Sequence, residues 1–338
     1  PQMVLERNPY FWQVDVAGNQ LPYFDKVVMG LAEDLEVLNL RAIAGEYTVQ
    51  GRHVALPKLP VLLENAEKGN YHVKLWNAQG GSDFAFYVNQ EYDADEEIGE
   101  WLRNKDFRIA LSIGFDREQL NEIFWLGEGN TGSACPAGVY SPGDEYRKRH
   151  ATLDVAKANS LLDSIGLTEK DSDGFRVRKD NGEALVLEAA TVGAAFIDFT
   201  GIAENIAQQW ASNIGIKLII KEYERSLLFT KVGNNELMLP IWSVGDNDDL
   251  YLNSIHTVPV NTILNYAPKV AQYNTTGGEK GNAPWGVIKE MMDLFDEGKT
   301  LPPEGRIANA KEVFRLLCDN VFVMGTVGQS PAVMGVWA

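Results

Sequence analysis

Apolar positions in residues 104–120, NKDFRIALSIGFDREQL, recur at helical spacing behind a polar start and stop at Gly114, which predicts an amphipathic helix broken at that glycine. The same period returns in 152–166, where Val155, Ala158, Leu161, Leu162 and Ile165 precede Gly166, and again in 202–215, closed by Gly215. The strand IKLIIKEY follows the latter at once, and ELMLPIW is a further β-run. Two late helices, 287–297 and 303–321, are separated by Pro302-Pro303. Residues 8–49 read as loop, strand and helix: KVVMGL is an apolar run, Asp34 stands near the start of DLEVLNLRAIAG, and Gly45 suits its C-cap. Residues 73–89, with VKLWNAQGG and FAFYVN, read as two β-runs around a Gly-Gly turn, and Asn181-Gly182 between two alternating runs predicts a hairpin. Strands and helices interleave without one repeating βαβ unit, so the expected class is mixed α/β (α+β) rather than a strict doubly wound sheet.

A chain of 338 residues with 45% hydrophobic and 23% charged content buries a large core and is expected to hold more than one domain. A net charge of -17 and a pI near 4.7 exclude a non-specific nucleic-acid or anionic-membrane partner, since both require a basic surface. No apolar run reaches the roughly 20 residues of a spanning helix. PQMVLERNPYFW lacks the basic start and apolar stretch of a signal peptide, so any export signal is expected to have been removed. Cys135 and Cys318 have no framework spacing and no histidines at zinc-ligand intervals, which makes buried free thiols the expectation.

The candidate chemical motifs are weak. Residues 127–132 match G-x-G-x-x-G, yet a helix precedes them and Pro136 follows, the wrong setting for a dinucleotide. Residues 246–249, DNDD, lack the mid-loop glycine and terminal glutamate of a calcium loop, and 171–174, DSDG, is a turn before FRVR. His53, His72, His150 and His256 show no metal-site spacing, and there is no G-x-S-x-G elbow. No cofactor or metal is expected, and carboxylates are too numerous to single out an acid/base pair. Eight tryptophans and twelve tyrosines offer flat rings that stack on sugars or peptide side chains. Trp242, placed at a strand end before the acidic turn, is the first candidate, with Trp76 and Trp285 after it.

Asn8-Pro9-Tyr10-Phe11-Trp12, Asp106-Phe107-Arg108-Ile109-Ala110-Leu111 with Phe115-Asp116-Arg117-Glu118, and the helix from Ala156-Lys157 to Gly166 keep one order and spacing. In these segments the chain resembles the large extracytoplasmic solute-binding proteins of ABC importers, the branch taking oligopeptides, nickel complexes or oligosaccharides. The resemblance implies a periplasmic-binding-protein class II fold, with 1–75 as a partial first lobe, 76–325 as a large C-terminal lobe and 326–338 as a truncated return to the first. It also implies a fragment of a longer chain, without the small middle lobe. The implied function is capture of a small-molecule ligand between two hinged lobes and delivery to ABC permease subunits, by a monomer in the periplasm or at the outer face of the cytoplasmic membrane. Asp246 stands near the family's ammonium-binding aspartate, whereas VDVAGNQLPYFD resembles the oligosaccharide branch, so both ligand classes stay open. The expected ligand-binding set is Trp242, Asp246, Asn247, Arg225 and Asn89. The competing readings are an α/β enzyme acting on a glycan or peptide and a chemosensory relative of the same fold.

Overall fold

The computed structural model describes residues 1–337 except Asn77, 194–196, 246–249, Asn253, Leu264 and Ala332. The chain opens with strands β1 (Gln2–Glu6) and β2 (Lys26–Gly30), paired antiparallel. Helix α1 (Leu35–Ile43) begins where the Asp34 carboxylate accepts from the Val37 amide and ends before Gly45, whose φ of 75° suits a residue without Cβ. Strand β3 (Val49–Ala55), helix α2 (Leu59–Gly69) and strand β4 (His72–Lys74) follow.

Strand β5 (Ser82–Tyr87) leads into α3 (Glu96–Arg103), α4 (Lys105–Ile113), α5 (Arg117–Trp125), the short β6 (Asn130–Thr131), α6 (Asp144–Arg147) and α7 (Val155–Ser164). Next come β7 (Val186–Val192), α8 (Phe199–Ile214), β8 (Lys217–Tyr223), α9 (Arg225–Gly233) and β9 (Leu239–Val244). Helices α10 (Pro268–Thr275), α11 (Gly286–Gly298) and α12 (Pro303–Asn320) precede β10 (Val323–Gly325), β11 (Val327–Gly328) and β12 (Val333–Trp337).

Among the described residues the strands form four sheets, of which β1-β2 and β6-β11 are isolated antiparallel pairs. The larger of the other two has the order β10-β5-β9-β7-β8, with β7 parallel to β8 and β9 and with β5 antiparallel to β9 and β10. The smaller is antiparallel, with β12 between β3 and β4. The fold is therefore mixed α/β, although β7-α8-β8-α9-β9 makes two consecutive parallel crossovers, more βαβ regularity than the sequence pattern predicts.

The expected Gly-Gly turn and the expected Asn181-Gly182 hairpin are both corrected. Strands β4 and β5 lie in different sheets, so Gly80-Gly81 does not join a pair. These glycines permit close backbone approach instead: a Cβ on Gly80 would sit 2.4 Å from the Val244 carbonyl oxygen, and one on Gly81 2.0 Å from that of Ala134. Around Asn181-Gly182 the turn does form, with Gly182 at φ 71° and Arg178 N–H donating to Glu183 O at 2.8 Å. It closes only an isolated bridge between Val177 and Ala184, because the second run continues into β7 and takes β8 and β9 as its partners.

The core is built on β5, where Phe84, Ala85, Phe86 and Tyr87 are fully buried, and on α8, whose Trp210 stacks on Phe86 at 5.4 Å between centroids. Helices α4 and α5 contribute Phe107, Ala110, Leu111 and Leu120, and the turn between them Phe115. Their two arginines are structural. Arg117 is buried and donates to the carbonyls of Gly132, Gly325, Ser112 and Ala151 at 2.6–3.2 Å and to Ser112 Oγ. Arg108 ties Asn320 O, Leu102 O and the Gln90 side chain together and stacks over Phe322. By contrast every residue of β1 and β2 is exposed, among them Met3, Val4, Leu5, Val28 and Met29.

Candidate functional site

Parallel strands β7, β8 and β9 all end on one edge of the large sheet, at Val192, Tyr223 and Val244. Ligands of α/β sheets collect beyond carboxyl ends, where the chain leaves the sheet and side chains are free to converge. There a cavity of about 530 Å³ is lined by Val192, Gly193, Glu222, Tyr223, Glu224 and Arg225 on one side and by Leu35 and His53 on the other. The first group leaves β7 and β8, and the second comes from α1 and β3 beside the small sheet. The cavity therefore lies between the two sheet systems.

On the small-sheet side a bulge aims the site. Between Val54, opposite Met334, and Gln50, opposite Val336, β3 spends four residue steps where β12 spends two. A bulge of this kind bends the strand and redirects a side chain. Within it His53 has φ 65°, the left-handed region that a non-glycine residue enters only when its surroundings hold it there. The holder is Asn39, 3% exposed on α1. Its amide nitrogen donates to Leu35 O at 2.7 Å and His53 O at 3.0 Å, and its oxygen accepts from Ala55 N–H at 3.0 Å. One buried side chain thus fixes both cavity-lining residues of this side.

On the large-sheet side Glu224 caps α9. The amides of Ser226 and Leu227 donate to its carboxylate at 2.8 and 3.2 Å, and they hold it below the usual carboxylate range. Glu222 accepts from Thr200 Oγ1 at 2.8 Å. The Arg225 guanidinium lies 4.8 Å from the centroid of Trp242 and 5.5 Å from that of Phe229, and Phe199 and Phe229 pack edge-on against Trp242. No ion pair of Arg225 is found among the described residues, and its planar donor fork rests on an aromatic shelf.

Sequence reading and structure meet here only in part. Arg225 lines the cavity. Trp242 lies within β9 rather than at its end and is 6% exposed, so it supports Arg225 from below instead of presenting an open face. Asn89 is at the opposite edge. Because β5 runs antiparallel to β9, the end of β5 meets the beginning of β9, where Asn89 N–H donates to Met238 O. Six residues separate Met238 from Val244, about 20 Å of strand. The Asn89 amide is also spent on Asn235 Oδ1 and Leu237 O, which makes it a core clamp. Asp246 and Asn247 lie outside the described residues. Trp76 is half exposed, its ring 3.2 Å from where a Gly51 Cβ would sit on β3, and Trp285 is the exposed N-cap residue of α11. Leu35, His53, Glu222 and Gly193 were missed. Glu222 falls inside the predicted strand IKLIIKEY and Leu35 inside the predicted helix, and neither pattern marks a site; His53 carries no local signal, since its bulge depends on a strand partner some 280 residues away.

Residues 1–258 match the family model described as bacterial extracellular solute-binding proteins, family 5 Middle. The chain belongs to that family. Family 5 proteins are extracytoplasmic transport binding proteins rather than enzymes, and among the described residues no helix is long and apolar enough to cross a membrane. The periplasmic alpha-galactoside-binding protein of Rhizobium meliloti (strain 1021) is 30% identical over 187 residues, 51% of this chain and 26% of that protein. The solved oligopeptide-binding protein OppA is 27% identical, with a TM-score of 0.72, over 99% of this chain and 55% of its own. A periplasmic binding protein, MelB, from Agrobacterium fabrum C58, solved with stachyose, has a TM-score of 0.73 at 20% identity, over 99% of this chain and 50% of its own. The chain thus spans about half the length of these solved family 5 folds and a smaller share of the curated relative.

Proposed function

We propose that this chain is the ligand-capturing part of an ABC importer's binding subunit, with an oligosaccharide as its solute and the permease subunits as its partners. The observation that carries the reading is the cavity between His53 and Leu35 on one side and Glu222 to Arg225 on the other, closed by elements of two separate sheets. A guanidinium on an aromatic shelf and a nearby carboxylate suit a sugar, whose vicinal hydroxyls donate and accept and whose ring faces are apolar. The α-galactoside-binding relative supports that class.

In this reading residues 1–75 with β12 make one side and 76–325 with β11, which pairs with β6, make the other, and closure of the two is what a permease would read. Arg225, carried on Trp242, is the proposed polar contact of the larger side, and Asp246 and Asn247 stay candidate ligand contacts on the strength of the sequence. The protein acts without turnover, as a monomer, outside the cytoplasm. An oligopeptide is the second reading, favoured by the likeness to OppA, and Arg225 would then hold a peptide carboxylate.

Titration calorimetry with stachyose and with a tetrapeptide separates the two. The proposal expects saccharide affinity that falls at least tenfold, about 1.4 kcal/mol, in Arg225→Ala and also falls in Trp242→Ala and Asp246→Ala. Tetrapeptide affinity alone transfers the assignment to the second reading, and product formation from either solute removes the receptor reading.

A further inference from the structure

The two cysteines of this chain, 183 positions apart in sequence, meet in the interior. Cys135 lies in the loop after β6 and Cys318 in the last turn of α12, and both are buried. Ser133 lies between them: its Oγ accepts from Cys135 N–H at 3.2 Å, donates to Tyr146 O at 2.7 Å and stands 3.6 Å from Cys318 Sγ. Each thiol acts on the titration of the other, which places the two sulfurs side by side. Arg147, itself buried, donates to the carbonyls of Ser133 and Cys135 at 2.7 and 3.1 Å and sets a positive charge beside both sulfurs.

We propose that Cys135 and Cys318 form a disulfide in the mature protein. Free thiols are the expectation from spacing alone, because nothing in the sequence brings the two together. Family membership places the protein outside the cytoplasm, where thiol pairs in contact are oxidised. Bond formation brings the Sγ atoms to about 2.05 Å, and the Ser133 hydroxyl already joins the Cys318 sulfur, at 3.6 Å, to the backbone of Cys135, at 3.2 Å.

The pair is chemically asymmetric. The neighbouring Cys318, and after it Ser141 and Arg147, hold the Cys135 thiol below its usual value, whereas the Cys318 thiol is raised by Cys135 and by burial. One cysteine thiolate displaces one thiolate from a disulfide-bearing oxidant, either a protein oxidoreductase or a small-molecule disulfide. The second cysteine sulfur then attacks the first Sγ and expels the second thiolate. Two electrons pass to the oxidant, and the two cysteine protons end on its thiols. Since both sulfurs are enclosed in the native fold, the exchange belongs to folding, before α12 docks. The bond ties α12 to the loop whose Ala134 carbonyl abuts Gly81, and so fastens the segment that passes between the two sheets.

The test is independent of the solute. The chain is exported to an oxidising compartment, purified without reductant, unfolded and alkylated. The proposal expects no alkylation before reduction, a gain of about 2 Da on reduction and two alkylations afterwards. Cys135→Ser and Cys318→Ser each show one alkylated thiol without reduction, and reductant lowers the melting temperature of the parent but not of either variant. Two alkylations before reduction, or a reductant-sensitive dimer in place of an internal bond, overturns it.

Discussion

The side-chain amide of Asn39 donates to the main-chain oxygen of His53 at 3.0 Å, and through that bond a helix residue sets the backbone of a cavity-lining strand residue. Asn39→Ala removes three hydrogen bonds and leaves the Leu35 and His53 carbonyls and the Ala55 amide short of a partner. The expected cost is about 1–3 kcal/mol in urea unfolding, together with weaker binding of the solute. Unchanged affinity in a variant that has lost stability would separate the bulge from the site.

Glycine in place of His53 tests whether the strain there serves binding. A φ of 65° costs an L-residue roughly 1 kcal/mol and costs glycine almost nothing. His53→Gly should be at least as stable as the parent in thermal unfolding while its solute affinity falls. A variant that loses stability and keeps affinity would make His53 a packing residue.

Asp83 gives the protein a pH dependence of definite sign. Burial raises its carboxyl to about 6 against an ordinary 3.8, and the bonds from Ser330 and Trp125 and the charge of Arg147 only partly offset that. The folded state binds the proton more tightly than the unfolded chain, so stability from this group is full below pH 4 and is lost as pH rises through about 6. The loss is at most about 3 kcal/mol. Urea unfolding of the parent against Asp83→Asn between pH 4 and 7.5 should show the difference shrinking across that window and level above it. A flat difference would place the Asp83 carboxyl in its ordinary range.

Arg117→Lys should destabilise by about 2–4 kcal/mol although charge is conserved, because a single ammonium cannot reach the five acceptors that the guanidinium satisfies. Chemical unfolding measures this, and a loss under 0.5 kcal/mol would mean that water replaces the missing donors.

Helices α1, α4, α5, α7, α8, α11 and α12 were legible because their determinants are local, whereas α2, α3, α6, α9 and α10 were not anticipated. Asp34, Asn104, Asp116 and Asp154 each cap a helix beside the apolar period they introduce, and Gly45 and Gly215 end theirs at positive φ. The sheets were legible only as separate strands. Whether VKLW and FAFYV pair depends on β12 and β9, which come much later in the chain, and periodicity carries no information about such partners. The site suffered from the same non-locality. Arg225 was visible as the residue after a strand, and Asn89 looked alike until the direction of β5 put it at the far edge. His53 was counted among scattered histidines, because the bulge and the Asn39 clamp that make it special arise only on folding.

The hairpin of β1 and β2 carries Met3, Val4, Leu5, Val28 and Met29 in the open, with free strand edges on either side. Such a ribbon is adhesive, since unsatisfied backbone donors and acceptors recruit any strand of a like molecule. The surplus of acidic groups opposes that by mutual repulsion, a defence that weakens as electrolyte is added. A concentrated preparation of this chain should therefore stay clear in dilute buffer and turn cloudy on salting, with trimming of the first thirty or so residues restoring clarity.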